Sequence, residues 1–323
     1  MHQGIGDWPG ADLFTRHPKN PILTAKELGY CANVVFNAAA AQVGDETVLL
    51  ARVEDKRGLS HLTACRSSDG VSGWRVDNPP TLLPQTELFP EEQWGLEDPR
   101  ATWLEELGLF GVTYTVYSRQ GPQVKLALTK DFKSFDIHGV ICPPDDKNAA
   151  LFPRRIRGRW ALLHRPIAPG RDACIWISYS PDLDQWGEHH MVMETRRGNW
   201  WDAHRIGACP PPIETPHGWL LGYHGVRTTV GGAIYRFGLA LLDLENPHHV
   251  LRRSDEWVFG PREIYERVGD VGNVVFPCGW IHDAQSDTLR LYYGAADTCI
   301  GLATAKLSDV MSYMLSCPEV PGA

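Results

Sequence analysis

Ser67-Ser68-Asp69-Gly70, with Trp74 four residues further on, closes a short run of strand-forming residues, Leu62-Thr63-Ala64. The phrase returns four more times in weaker form. Thr129-Lys130-Asp131-Phe132 is followed by Phe135, and Ser180-Pro181-Asp182-Leu183 by Trp186; Leu242-Asp243-Leu244 and Ala305-Lys306-Leu307-Ser308-Asp309 come after them. Each copy ends its own strand-like run: Val124 to Leu128, Ile175 to Ser178, Phe237 to Leu241 and Ile300 to Thr304. The copies recur about every 50 to 65 residues. A strand that ends in a Ser-x-Asp turn and then an aromatic residue, five times over, predicts radial repetition of four-stranded sheets. The expected architecture is an all-β, five-bladed β-propeller formed by residues 1–323 as one domain.

Composition agrees with that reading. At 323 residues and 43% hydrophobic content the chain can bury a full core, and a propeller accounts for one domain of this size without a linker. The 31 glycines and 24 prolines are spread along strand boundaries, as many short strands and tight turns require. Long amphipathic helical stretches are hard to find. The beginning, Met1-His2-Gln3-Gly4-Ile5-Gly6-Asp7, has no basic region followed by an apolar run, and no stretch approaches the roughly 20 apolar residues of a membrane span. The expectation is a cytoplasmic protein with no membrane partner. Eight cysteines lie far apart without Cys-x-x-Cys or Cys/His ligand spacing, so they read mostly as buried thiols. A net charge of -8 argues against nucleic acid, whose phosphates favour a basic face.

In a propeller the inner strands converge on a central channel, where ligands usually sit. Four segments place charged residues beside strand-forming runs. In Gly95-Leu96-Glu97-Asp98-Pro99-Arg100 the proline restrains Asp98 to an extended conformation, and two acids beside an arginine make a carboxyl that its neighbours can tune. The same residues could equally close a turn. Lys147-Asn148 leads through Phe152-Pro153 and an apolar strand to His164-Arg165-Pro166, which puts two cations and an amide at strand ends and asks an anionic partner of Arg165. The third segment runs from Asp202-Ala203-His204-Arg205 through Pro211-Pro212-Ile213-Glu214 to Tyr223-His224-Gly225. The fourth is Tyr293-Gly294-Ala295-Ala296-Asp297. Taken singly, His224 could be a satisfied core histidine and Asp297 a turn cap. The adjacent acids Glu91-Glu92 and Asp145-Asp146 read as solvated pairs rather than metal ligands.

Taken together and in this order, these segments resemble glycoside hydrolase family 130, the β-mannoside phosphorylases and β-mannosidases. Further signatures carry the likeness: Asn37 ahead of a strand ending in Arg52, Gly218-Trp219, Leu241-Leu242-Asp243 and Asn273-Val274-Val275-Phe276-Pro277. Members of that family are five-bladed propellers. The resemblance implies that Asp98 is the sole carboxylic acid, protonating the glycosidic oxygen through the 3-hydroxyl of the mannosyl unit. Asn37, Arg52 and Asp297 would hold that unit, with Glu97 and Arg100 beside them. Lys147, Asn148, Arg165, Arg205, His224 and Tyr235 fall where phosphorylase members gather phosphate. Lys147 stands where many members carry arginine, Arg205 where many carry lysine, and Glu214 where lysine is frequent. Homo-oligomers are common in the family.

The chemistry then turns on the second reactant. Inverting hydrolysis needs a carboxylate base opposite the acid, with room for water between them. Phosphorolysis needs only the acid, because phosphate is itself the nucleophile and requires cations to position it. The cluster of cations favours inverting phosphorolysis of a non-reducing β-mannoside, a manno-oligosaccharide or mannosyl-glucose, to α-mannose 1-phosphate. Inorganic phosphate would be co-substrate, with no cofactor and no metal. Hydrolysis with Glu214 as base is the alternative, as is pairing of Glu214 with Arg205. A sugar-binding propeller without catalysis is a third reading.

Overall fold

The computed structural model describes residues 13–320 except 168, 169 and 171; the N-terminal stretch read above lies outside them. Five antiparallel sheets are arranged as the blades of a β-propeller. Strand β1 (Thr15–Arg16) belongs to the last blade. Blade 1 is β2 (Val34–Val43), β3 (Glu46–Glu54), β4 (Ser60–Ser67) and β5 (Arg75–Val76). Blade 2 is β6 (Leu96–Leu104), β7 (Leu109–Ser118), β8 (Gly121–Thr129) and β9 (Asp136–Cys142). Blade 3 is β10 (Asp146–Leu151), β11 (Trp160–Pro166), β12 (Ile175–Ser180) and β13 (Gly187–Met193). Blade 4 begins with β14 (Arg205–Ala208) and β15 (Ile213–Thr215), which both pair with β16 (Gly218–Thr229), followed by β17 (Gly232–Leu242) and β18 (Val250–Arg253). Blade 5 is β19 (Val275–Asp283), β20 (Thr288–Ala295) and β21 (Cys299–Lys306).

The repeated phrase sits at one place in every blade, the turn that leaves the third strand. Ser67 Oγ accepts from the N–H groups of Asp69 and Gly70, Thr129 Oγ1 from those of Asp131 and Phe132, and Ser180 Oγ from those of Asp182 and Leu183. The second bonded position is left-handed each time, with φ of 70° at Gly70, 59° at Phe132 and 76° at Leu183. In blade 3 the aromatic that follows folds back over the turn: Trp186 Nε1 donates to the Leu183 carbonyl at 2.8 Å. A hydroxyl that accepts from the backbone N–H groups two and three residues on replaces the ladder where the chain must reverse.

The fifth copy behaves differently. After β21 the chain enters helix α2 (Leu307–Ser316) instead of a fourth strand. The vacant edge is filled from the other end of the chain, with Thr15 paired to Thr304 and Arg16 to Ala303. Ring closure thus joins an early and a late segment of the chain in one sheet and covers part of the β21 edge. A buried carboxylate holds the junction, since Arg16 Nε and Nη2 donate to Glu266 at 2.7 and 2.9 Å.

Two of the acids read as solvated are buried. Glu92 receives the buried Lys125 ammonium at 2.8 Å, with Glu91 at 3.1 Å and the Phe89 ring on the other side. Asp146 is 3% exposed and accepts from His164 Nδ1. Seven of the eight cysteines are buried thiols and Cys31 is exposed. Among the described residues no helix is long and apolar enough to cross a membrane.

Candidate active site

The inner strands of blades 1, 2 and 3 share one irregularity. The pairing of β2 with β3 shifts register between Phe36 and Ala39, that of β6 with β7 between Glu97 and Arg100, and that of β10 with β11 between Lys147 and Ala150. Inside each shift one residue takes left-handed φ: Asn37 at 46°, Asp98 at 47° and Asn148 at 58°. Asn and Asp tolerate this conformation better than other non-glycine residues, and a bulge re-aims the side chain it carries. Three successive blades therefore turn a polar group toward one cavity of about 190 Å³ in the central channel. Pro99 holds a bulge in place here, rather than the extended Asp98 expected from the sequence.

One end of the cavity is acidic. Asp98 Oδ1 accepts from Asn37 Nδ2 at 2.9 Å and from Arg52 Nη1 at 3.1 Å. Among the described residues no hydrogen bond reaches Oδ2. Arg52 also donates to Glu97 at 3.2 Å and Glu54 at 2.5 Å, and lies over the Phe36 ring. Asp297 joins the lining from blade 5. Close packing is required: a Cβ at Gly294 would collide with Asn37 Oδ1, so the glycine of the Tyr293-Gly294-Ala295 phrase makes room for this amide.

Burial pushes the Asp98 carboxyl up, but the Arg52 and Arg100 guanidiniums and the Asn37 bond outweigh it, so the group lies below its ordinary value. Asp297 goes the other way. Burial and the neighbouring Asp98 charge push it up to about 7. A raised carboxyl contributes stability that is complete below its unfolded value, near 4, and is lost as pH rises through about 7. Asp297→Asn is therefore expected to become more stable relative to wild type across that window, by a few kcal/mol at most. Thermal midpoints of the pair from pH 4 to 8 test this; a gap independent of pH would contradict it.

The other end is cationic. Arg165 is 5% exposed, and neither it nor Arg205 has an acid partner among the described residues. Arg165 Nη1 donates to His224 Nε2 at 3.3 Å and its Nε is buried without a partner; Arg205 Nη1 donates to the Tyr235 hydroxyl at 3.4 Å. His224 is fully buried. Desolvation, then the Arg165 charge, holds its imidazole well below the usual range, so it stands neutral with Nε2 as acceptor. Burial and then Arg205 pull Arg165 down to about 10. Lys147, between the two ends, lies 3.9 Å from Glu97. The Oδ1 atoms of Asn37 and Asn148 are buried and unpartnered.

A separate, wider groove of about 560 Å³ lies along the later residues of β2, β6 and β19, walled by Trp103, Phe110 and Trp280. Its lining contains no carboxylate and a single charge, Lys130.

A profile of the family described as "beta-1,4-mannooligosaccharide phosphorylase" matches residues 15–316. The chain belongs to glycoside hydrolase family 130. The chain is 38% identical to a β-1,4-mannooligosaccharide phosphorylase of Ruminococcus albus over 94% of this chain and 92% of that one. Identity to a 1,2-β-oligomannan phosphorylase of Thermoanaerobacter sp. is 35%, over 90% and 96%. Among solved structures, the β-1,2-mannobiose phosphorylase of Listeria innocua in complex with β-1,2-mannobiose superposes with a TM-score of 0.84 at 30% identity, covering 94% of this chain and 99% of that one.

Of the residues singled out in the sequence of this family member, Asn37, Arg52, Glu97, Asp98, Lys147, Asn148, Arg165, Arg205, His224, Tyr235 and Asp297 all line the cavity. Two do not. Arg100 is 1% exposed and donates to backbone carbonyls behind Asp98, so it is out of a sugar's reach. Glu214 lies on β15, exposed, in a two-pronged ion pair with Arg154 at 2.7 and 2.8 Å. Neither the base role nor a pairing with Arg205 fits this position. Glu214→Gln is accordingly expected to leave turnover within about twofold of wild type, as surface ion pairs contribute little; a loss of tenfold or more would contradict the placement.

The sequence reading passed over Val271, Val274 and Phe276, which complete the wall. The Asn273-to-Pro277 signature holds two of them, but apolar residues give no chemical signal of their own. Behind the cationic end a chain of hydrogen bonds runs from buried Asp146 through buried His164 and Ser178 out to exposed His189, each link 2.6 Å. Asp146 Oδ1 also accepts from the Arg165 N–H, so this chain fixes the strand that carries Arg165. Cys142 brings a third ligand-type atom near Asp146 and His164, yet those two are already bonded to each other.

Proposed function

We propose that this chain is an inverting phosphorylase of β-mannosides, with Asp98 as general acid. Inorganic phosphate held by Lys147, Arg165, Arg205, His224 and Tyr235 attacks the anomeric carbon of a non-reducing mannosyl unit, which Asn37, Arg52 and Asp297 hold. A bond forms from phosphate oxygen to that carbon as the glycosidic bond breaks. Asp98 delivers its proton, through the 3-hydroxyl, to the departing oxygen; the proton of hydrogen phosphate balances it. The products are α-mannose 1-phosphate and a sugar one unit shorter.

The observation that carries this reading is a pair of cations without acid partners among the described residues, buried Arg165 and exposed Arg205, beside a neutral histidine. Burying an uncompensated cation is costly, and an anionic co-substrate is its natural partner. A hydrolase would instead need a carboxylate base facing Asp98 across the reacting carbon. The cationic end supplies none. Phosphate also resolves a tension at Asp98, whose carboxyl is held low although an acid must carry a proton. A dianion in the same cavity offsets the cations and favours the protonated form. Proton NMR of the first product tests the stereochemistry: the α anomer of mannose 1-phosphate is expected, and initial release of the β anomer would refute single-step inversion.

A further inference from the structure

Arg100 spans the channel. It starts on the inner strand of blade 2, and its guanidinium donates from Nη1 to the Asp98 carbonyl at 2.8 Å, from Nε to the Cys209 carbonyl at 2.7 Å and from Nη2 to the Ala208 carbonyl at 3.1 Å. Those last two carbonyls belong to the far side of the ring, at the end of β14. That strand begins at Arg205 and backs His224: Gly207 pairs with His224, and a Cβ there would stand 2.5 Å from the imidazole. The guanidinium is fully buried, with no carboxylate among these partners and the Phe276 ring of blade 5 beside it at 5.9 Å. One end of the fork therefore grips the left-handed peptide that aims the acid, and the other grips the strand that carries part of the phosphate cradle.

We propose that Arg100 is a positioning residue, a strut that sets the separation between the Asp98 carboxyl and the phosphate cradle. The inference rests on the phosphorolysis reading and extends it to a residue that touches neither reactant. A left-handed aspartate persists only where its surroundings hold it, and the bond to its own carbonyl supplies that hold. Lysine cannot replace the fork, because a point donor cannot meet three carbonyls in one plane. Displacing a reacting group by about 1 Å costs on the order of a hundredfold in rate.

The test compares wild type, Arg100→Lys and Arg100→Ala on a manno-oligosaccharide and on an aryl β-mannoside whose leaving group needs no protonation. Phosphate affinity is measured separately by calorimetry with inorganic phosphate alone. Both variants are expected to bind phosphate within about threefold of wild type and to lose about a hundredfold in kcat on the oligosaccharide. The loss should be far smaller on the aryl substrate, and guanidinium ion should restore part of the activity of Arg100→Ala. General damage to the fold would lower both substrates alike and overturn the inference, as would variants that do not fold, since Arg100 would then act on stability alone. Full activity in Arg100→Lys would show that charge suffices and overturn it too. Wild type without phosphate-dependent product would refute the phosphorolysis reading and the inference with it, an outcome distinct from an active wild type beside an active lysine variant.

Discussion

Asp98→Asn is expected to lower kcat on manno-oligosaccharides by roughly a thousandfold, inside the range of 10² to 10⁴ that general acids contribute. The substitution is close to isosteric, and both bonds to Asp98 fall on Oδ1 from donors, Asn37 Nδ2 and Arg52 Nη1. An amide oxygen accepts them equally well. Arg52 keeps Glu54 and Glu97 as partners, so the cavity stays assembled while the transferable proton is gone. The loss should therefore fall on kcat, with the affinity for sugar nearly unchanged, and should shrink on an aryl mannoside with an acidic leaving group. Steady-state kinetics on the two substrates makes the comparison. Unchanged turnover would remove Asp98 from the mechanism.

Arg165→Gln carries the second large effect. A unit charge pair at about 4 Å contributes roughly 4 kcal/mol near a protein surface, so the Michaelis constant for phosphate is expected to rise at least a hundredfold. That for the sugar should move little. The same change relieves an unpaired buried cation, so the variant in phosphate-free buffer should be as stable as wild type or more so. Phosphate should raise the wild-type thermal midpoint by mass action and leave that of the variant nearly unmoved. A variant destabilised without phosphate, or one that still gains from it, would contradict the assignment of Arg165 to the anion.

The Ser/Thr-x-Asp turns at Ser67, Thr129 and Ser180 made the propeller legible because each pairs a local hydrogen-bond demand with a fixed place after a third strand, a place that the weaker fourth and fifth copies share. Ring closure was less legible, since a two-residue strand at Thr15–Arg16 has no periodicity to detect and its partner lies at the other end of the chain. Most of the cavity-lining charges could be named from sequence because charged groups beside apolar strands are rare enough to mark a channel, whereas Arg52 was named only through the family resemblance. Their geometry could not. The proline after Asp98 pointed to extended backbone, while the register shift that makes Asn37, Asp98 and Asn148 equivalent arises only from pairing with the next strand. Arg100 and Glu214 show the remaining gap. Both are charged residues next to site motifs, but alternation on β15 turns Glu214 outward to Arg154, and Arg100 finds its partners more than a hundred residues away in sequence.

Product analysis with and without inorganic phosphate, on β-1,4- and β-1,2-linked manno-oligosaccharides, puts the exchange of phosphate for water to the most direct test. Mannose 1-phosphate should appear on at least one linkage, only when phosphate is present, and at the expense of free mannose. Free mannose released at equal rates in both buffers would mean that water is the nucleophile and that the cations at Arg165 and Arg205 serve something else.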